Sequence, residues 1–117
     1  MKKLIFTIGT QDKDTKEFYT INSIRNYLTQ VLDYATYTEC QDSYKYDDGT
    51  ICNEPSLKVE VILFDEDYKK QVQICKVIES ACNFFNQESY LYEIQTSNSY
   101  NATLIYCLLY TSDAADE

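Results

Sequence analysis

Four carboxylates gather around one turn-rich stretch of the chain: Asp42, Asp47, Asp48 and Glu54 fall within 13 residues, with Tyr44 and Tyr46 among them. Clustered carboxylate oxygens can hold a hard cation, and a carboxylate beside a sheet can serve as a general acid or base. The spacing does not match a calcium loop, because the acids and Gly49 miss the required positions and no bidentate Glu follows. No metal is therefore expected, and a solvated turn is the plainer reading of Asp47 and Asp48. Glu54 differs because it precedes Pro55 and a strand expected to be central. There its oxygens can accept hydrogen bonds from hairpin amides and pin the hairpin. Asp47, Asp48 and Glu54 form the candidate polar site.

Other chemistries are excluded by what the chain lacks. It has no histidine, which removes the usual base for a Ser or Cys nucleophile and the commonest metal ligand. Cys40, Cys52, Cys75 and Cys82 are isolated, with no Cys-x-x-Cys pair, so zinc and iron–sulfur spacing is absent. Cys75 and Cys82 sit seven apart, on one helical face, and read as core. Gly9 and Gly49 are the only glycines, too few for a phosphate-cradling loop. No cofactor is expected, and no catalytic residue is assigned.

The elements that position these groups follow from periodicity. Leu4 to Thr10 alternates Leu4, Phe6 and Ile8 with Ile5 and Thr7, and reads as a central strand that Gly9 breaks. Thr20 is a candidate cap for a helix over Ile21 to Asp33, with Ile21, Ile24, Leu28, Val31 and Leu32 as its stripe. Thr36 to Tyr46 is β-prone, Asp47-Asp48-Gly49 supplies a turn, and Thr50-Ile51-Cys52 resumes an extended run. After a break around Pro55, Leu57 to Phe64 alternates as the clearest strand. Asp65-Glu66-Asp67 places acids at the start of a helix over Asp67 to Asn86, on which Lys69, Lys70 and Lys76 can pair with Asp65, Glu66 and Glu79. Ser89 to Thr96 is a fourth strand, and Ala102 to Tyr106 is either a short strand or the start of a further element. The expected fold class is α+β: a ferredoxin-like split βαβ arrangement, with a four-stranded antiparallel sheet and two helices on one face. Right-handed crossovers put strands one and three in its centre.

Tyrosine stands out, at 12 residues. Tyr37, Tyr44, Tyr46, Tyr90 and Tyr92 lie on or beside expected strands, and those on the open side would form an aromatic recognition surface. RNA-recognition domains place aromatics this way, but their basic, glycine-containing motif is missing. Lys58-Val59-Glu60-Val61 stands in its position.

The stretch Met1 to Gly9, the loop from Asp12 to Thr15, and Tyr44-Lys45-Tyr46-Asp47-Asp48-Gly49-Thr50 leading to Glu54-Pro55-Ser56 resemble small phage and bacterial proteins of ferredoxin-like topology. The resemblance implies that topology and a phage or bacterial source, and carries no catalytic residues with it. Residues 107-117, Cys107 to Glu117, resemble the translated transposon end of a sequencing library. The expected organisation is a single domain over 1-106, followed by a non-native tail.

Removing that tail leaves 10 basic against 16 acidic groups, a balance that disfavours nucleic acid and anionic lipid as partners. No apolar run approaches the roughly 18 residues of a membrane helix, and no signal-peptide core precedes Thr7, which points to the cytoplasm. Two functional classes follow. The favoured one is a small, acidic, non-enzymatic interaction module, phage-encoded, that binds itself or a host protein through its Tyr-rich open sheet face or an edge strand. The alternative is a small-metabolite sensor or enzyme with a pocket near Glu54, Asp47 and Tyr44.

Overall fold

Leu4, Phe6 and Ile8 are completely buried, and their partners across both neighbouring strands complete one apolar layer. The structure, a computed structural model, describes residues 1–65 and 67–107. Glu66, with its expected lysine pairing, and the tail from 108 to 117 lie outside the described residues. Seven elements follow in order: β1 (Lys2–Gly9), α1 (Ile21–Thr29), β2 (Thr36–Lys45), β3 (Ile51–Leu63), α2 (Tyr68–Phe84), β4 (Ser89–Gln95) and β5 (Tyr100–Tyr106). The strands form one sheet in the order β2-β3-β1-β4-β5, every neighbour antiparallel.

The sheet thus has five strands, which corrects the expected four-stranded ferredoxin-like arrangement. After β4 the chain turns at Thr96, whose amide donates to the Ser99 carbonyl at 2.9 Å, and returns in register from Gln95↔Tyr100 to Ser89↔Tyr106. The added strand satisfies an edge of β4 that would otherwise present open amides and carbonyls. A second difference concerns Pro55, which lies inside a continuous β3 opposite Gln41. Its carbonyl accepts the Thr10 hydroxyl at 2.7 Å, so the side of Pro55 that lacks a donor faces the end of β1 rather than β2. The ladder to β2 loses nothing there. The helices are also shorter than their periodicity: α1 ends at Thr29, leaving Val31 half exposed.

Both helices cover the same side of the sheet. Ile24 and Leu28 of α1 join Ile74, Ile78, Ala81 and Cys82 of α2 in one cluster with the β1 and β3 residues of that face. Thr20 caps α1 by accepting the Ser23 amide at 3.2 Å, and Asp67 caps α2 by accepting the Lys70 amide at 3.1 Å. No helix among the described residues is long and apolar enough to cross a membrane. Cys107, the first residue of the presumed tail, is buried, and its amide donates to the Glu88 carbonyl at 2.9 Å.

Asp12 organises the loop between β1 and α1. Its Oδ1 accepts the amides of Asp14 (2.9 Å) and Thr15 (3.0 Å) and the Asn86 side-chain amide (2.9 Å), while Oδ2 accepts the Tyr19 hydroxyl at 2.7 Å. The Thr15 amide foremost, then Tyr19, hold this carboxyl well below the usual carboxylate range. A depressed native pKa stabilises the fold above the ordinary carboxylate value and loses that contribution as pH falls through the native one. Asp12→Asn is therefore expected to lower the urea midpoint at neutral pH and to flatten its decline below about pH 5. Parallel curves for the two proteins would contradict this role. Phe6, stacked on Tyr92 at 4.9 Å, is expected to cost about 3–5 kcal/mol in denaturant melts when changed to Ala.

Candidate functional site

On the face away from the helices, β3 runs past the end of β1: the last pair is Gly9↔Ser56, and the residues before Ser56 pair only with β2. Glu54 stands at this overrun. Its Oε2 accepts the Thr10 amide at 3.0 Å and the Gln11 amide at 2.8 Å, so the carboxylate bridges the hairpin to the chain leaving β1. Gly9 makes the bridge possible. A Cβ built there would lie 2.7 Å from the Glu54 carboxyl carbon, well inside contact distance.

Three further groups complete the arrangement. Asp42, directly opposite Glu54, accepts the Ser56 hydroxyl at 2.9 Å. Tyr44 donates its hydroxyl to Gln11 Oε1 at 3.2 Å, and the neighbouring Cys52 thiol, followed by burial, raises the phenol above its ordinary range. Lys58 lies further along β3 on the same face, between Thr7 of β1 and Thr38 of β2. Gly9, Gln11, Asp42, Tyr44, Glu54 and Lys58 border one open cleft of about 760 Å³. Its volume is in the range of small-ligand sites, and its walls carry both signs of charge.

The residues singled out in the sequence divide between the two faces. Tyr44 and Tyr46 border the cleft, their rings edge to face at 5.4 Å. Tyr37 and Tyr92 pack against the core, and Tyr90 is buried, with its hydroxyl donating to Glu79 at 3.3 Å. The reason is register: Tyr90 and Tyr92 oppose Ile8 and Phe6, whose side faces the helices. Burial accordingly raises the pKa of both phenols. Asp47 and Asp48 sit at the hairpin tip, where Asp48 accepts the Thr50 amide at 2.8 Å and Gly49 adopts a φ of 90°. They are turn residues outside the cleft, so the proposed grouping of Glu54 with Asp47 is not formed. Sequence reasoning missed Gly9, Gln11 and Lys58. The available signal was Gly9, since a glycine at the end of an apolar strand marks a close approach as readily as a break.

No protein-family model and no curated protein sequence matches the chain. Among solved structures, the chain is similar to a phage SAM lyase in complex with S-methyl-5'-thioadenosine, with a TM-score of 0.69 at 18% identity over 93% of this chain and 92% of that one. It is also similar to a phage SAM lyase in the apo state, with a TM-score of 0.66 at 19% identity over 90% and 88% of the two chains. The shared fold spans nearly all of both proteins. The expectation of a non-enzymatic interaction module conflicts with these neighbours, both of them an enzyme, and is set aside, as is the expectation that the chain is no enzyme. The alternative reading, a small-metabolite sensor or enzyme with a pocket near Glu54, Asp47 and Tyr44, fits these neighbours better in its enzyme form.

If Glu54 requires the space over Gly9, the two positions are energetically coupled. Gly9→Ala should destabilise the wild type by about 1–3 kcal/mol yet cost much less in a Glu54→Ala background, as read from a double-mutant cycle in urea. Equal costs in both backgrounds would refute the contact.

Proposed function

We propose that the chain is a small phage-encoded enzyme that cleaves S-adenosylmethionine in the cleft on the open sheet face. The observation that carries this reading is the near full-length likeness of fold to a lyase that holds S-methyl-5'-thioadenosine. The residues at hand suit such a substrate. S-adenosylmethionine bears a permanent sulfonium charge, and the cleft offers Glu54 and Asp42 as counter-charges in a chain of net charge -9. Glu54 is held in place by the Thr10 and Gln11 amides, so little reorganisation is needed to meet a cation. Tyr44 adds an aromatic ring on which a sulfonium or a nucleoside base can rest.

The chemistry also explains what the chain lacks. When the bond between sulfur and the γ-carbon of the amino-acid chain breaks, its electron pair stays on sulfur while an oxygen of the substrate's own carboxylate bonds to that carbon and closes a lactone. No water is consumed, and the departing S-methyl-5'-thioadenosine is a neutral thioether. That leaving group needs no proton, so no histidine acid is required. The reaction cancels the sulfonium charge.

Purified protein incubated with S-adenosylmethionine should release S-methyl-5'-thioadenosine, measured by chromatography, well above the rate without protein. Glu54→Gln should weaken binding of S-adenosylmethionine, read as a KM raised about tenfold, while the melting temperature stays within a few degrees. A folded wild-type protein that yields no more thioether product than buffer alone overturns the reading.

A further inference from the structure

Lys58 is a half-buried cation on a cleft wall, and among the described residues its ammonium has no hydrogen bond or ion pair. The one ion pair among those residues, Arg25 with Glu39 at 2.7 Å, lies elsewhere. Of the acids on this face, Glu54 is engaged with the Thr10 and Gln11 amides, Asp42 with the Ser56 hydroxyl and Glu93 with the Tyr100 hydroxyl, while Glu60, two residues along β3, makes no ion pair with Lys58. Burying part of an ammonium without a partner is costly, so a cation in this position is suited to receive an anion. Its flanking residues across the sheet, Thr7 and Thr38, are short and hydroxylated, which leaves room and a donor beside it. The charge acts into the cleft: the half-buried Cys40 thiol, raised first by burial and then by Asp42, is drawn back down by Lys58.

Glu54 and Lys58 therefore present opposite charges four residues apart on one strand face, roughly 13 Å along the backbone. A ligand that is only cationic would leave Lys58 unmatched. We propose that Lys58 is the anion-binding end of the cleft and holds the α-carboxylate of the substrate's amino-acid moiety, with Thr7 beside it. The proposal rests on the reading of this cleft as an S-adenosylmethionine site, and it makes Lys58 a binding and specificity residue rather than a chemical participant. The cleft then selects nucleosides that carry an amino-acid chain over those that do not.

The test compares two unreactive thioethers by calorimetry: S-adenosylhomocysteine, which has the carboxylate, and S-methyl-5'-thioadenosine, which lacks it. Lys58→Gln should weaken S-adenosylhomocysteine about tenfold or more, equivalent to about 1.4 kcal/mol, and leave S-methyl-5'-thioadenosine within about twofold. Lys58→Arg should restore most of the lost affinity, and the KM for S-adenosylmethionine should rise in Lys58→Gln. Equal weakening of both ligands, or of neither, overturns the assignment even where the wild type turns over S-adenosylmethionine. A wild type that binds neither ligand and releases no thioether overturns the site itself, and the assignment with it.

Discussion

Glu54 reaches from β3 to the chain leaving β1 and takes the amides of Thr10 and Gln11, and the space it occupies exists because residue 9 has no side chain. That contact ties the overrunning hairpin to the sheet centre. The hairpin strands beyond Ser56 have only each other as ladder partners, and a two-stranded ribbon is marginal by itself in water. The same bridge fixes the start of the loop that Asp12 holds further along, so a cleft wall is anchored at two places by carboxylates. The two differ in kind. Asp12 is saturated by four donors and is structural, whereas Glu54 receives both of its bonds on one oxygen.

The helix-covered and open faces divide the labour. Apolar alternation on β1 and β3, together with the helical stripes, builds the core on one side and supplies the rigidity. The other side carries Thr7, Glu54 and Lys58 on interior strands and Cys40 and Asp42 on the edge strand β2, where positions are set by the ladder rather than by loops. Rigid strands hold opposite charges at fixed spacing, which is what recognition of a small zwitterionic or cationic ligand demands. A fold without histidine, metal-ligand spacing or a glycine-rich loop still suits a reaction whose leaving group departs neutral.

Much of the scaffold was legible because it rests on local periodicity: β1, β4 and the starts of α1 and α2 appear where alternation and caps place them, while both helices end earlier than their stripes. Pro55 misled because its cost depends on which side of the strand lacks a partner, a fact set by the length of β1 rather than by the proline itself. The fifth strand was only half visible. Asn101 to Tyr106 alternates weakly, and its identity as a strand depends on the open edge of β4. The tyrosines misled for a similar reason: the side Tyr90 and Tyr92 take is fixed by their register with Phe6 and Ile8, a long-range pairing. Of the site, Glu54 and Tyr44 were legible as polar groups near a hairpin, and Glu54 does bond to backbone amides, though those after β1. Gly9 and Lys58 were not, since one acts by leaving room and the other by lacking a partner.

The central claim is that the open sheet face at Glu54, rather than the helical side, receives the ligand. Amide correlation NMR spectra recorded while S-methyl-5'-thioadenosine is added test this directly. The account expects the largest shifts at Thr10 and Gln11, whose amides Glu54 accepts, and at Tyr44, with the helices little changed. Shifts confined to Val31, Tyr34 and Val77, which line a separate hollow of about 250 Å³ between the end of α1 and α2, would contradict it.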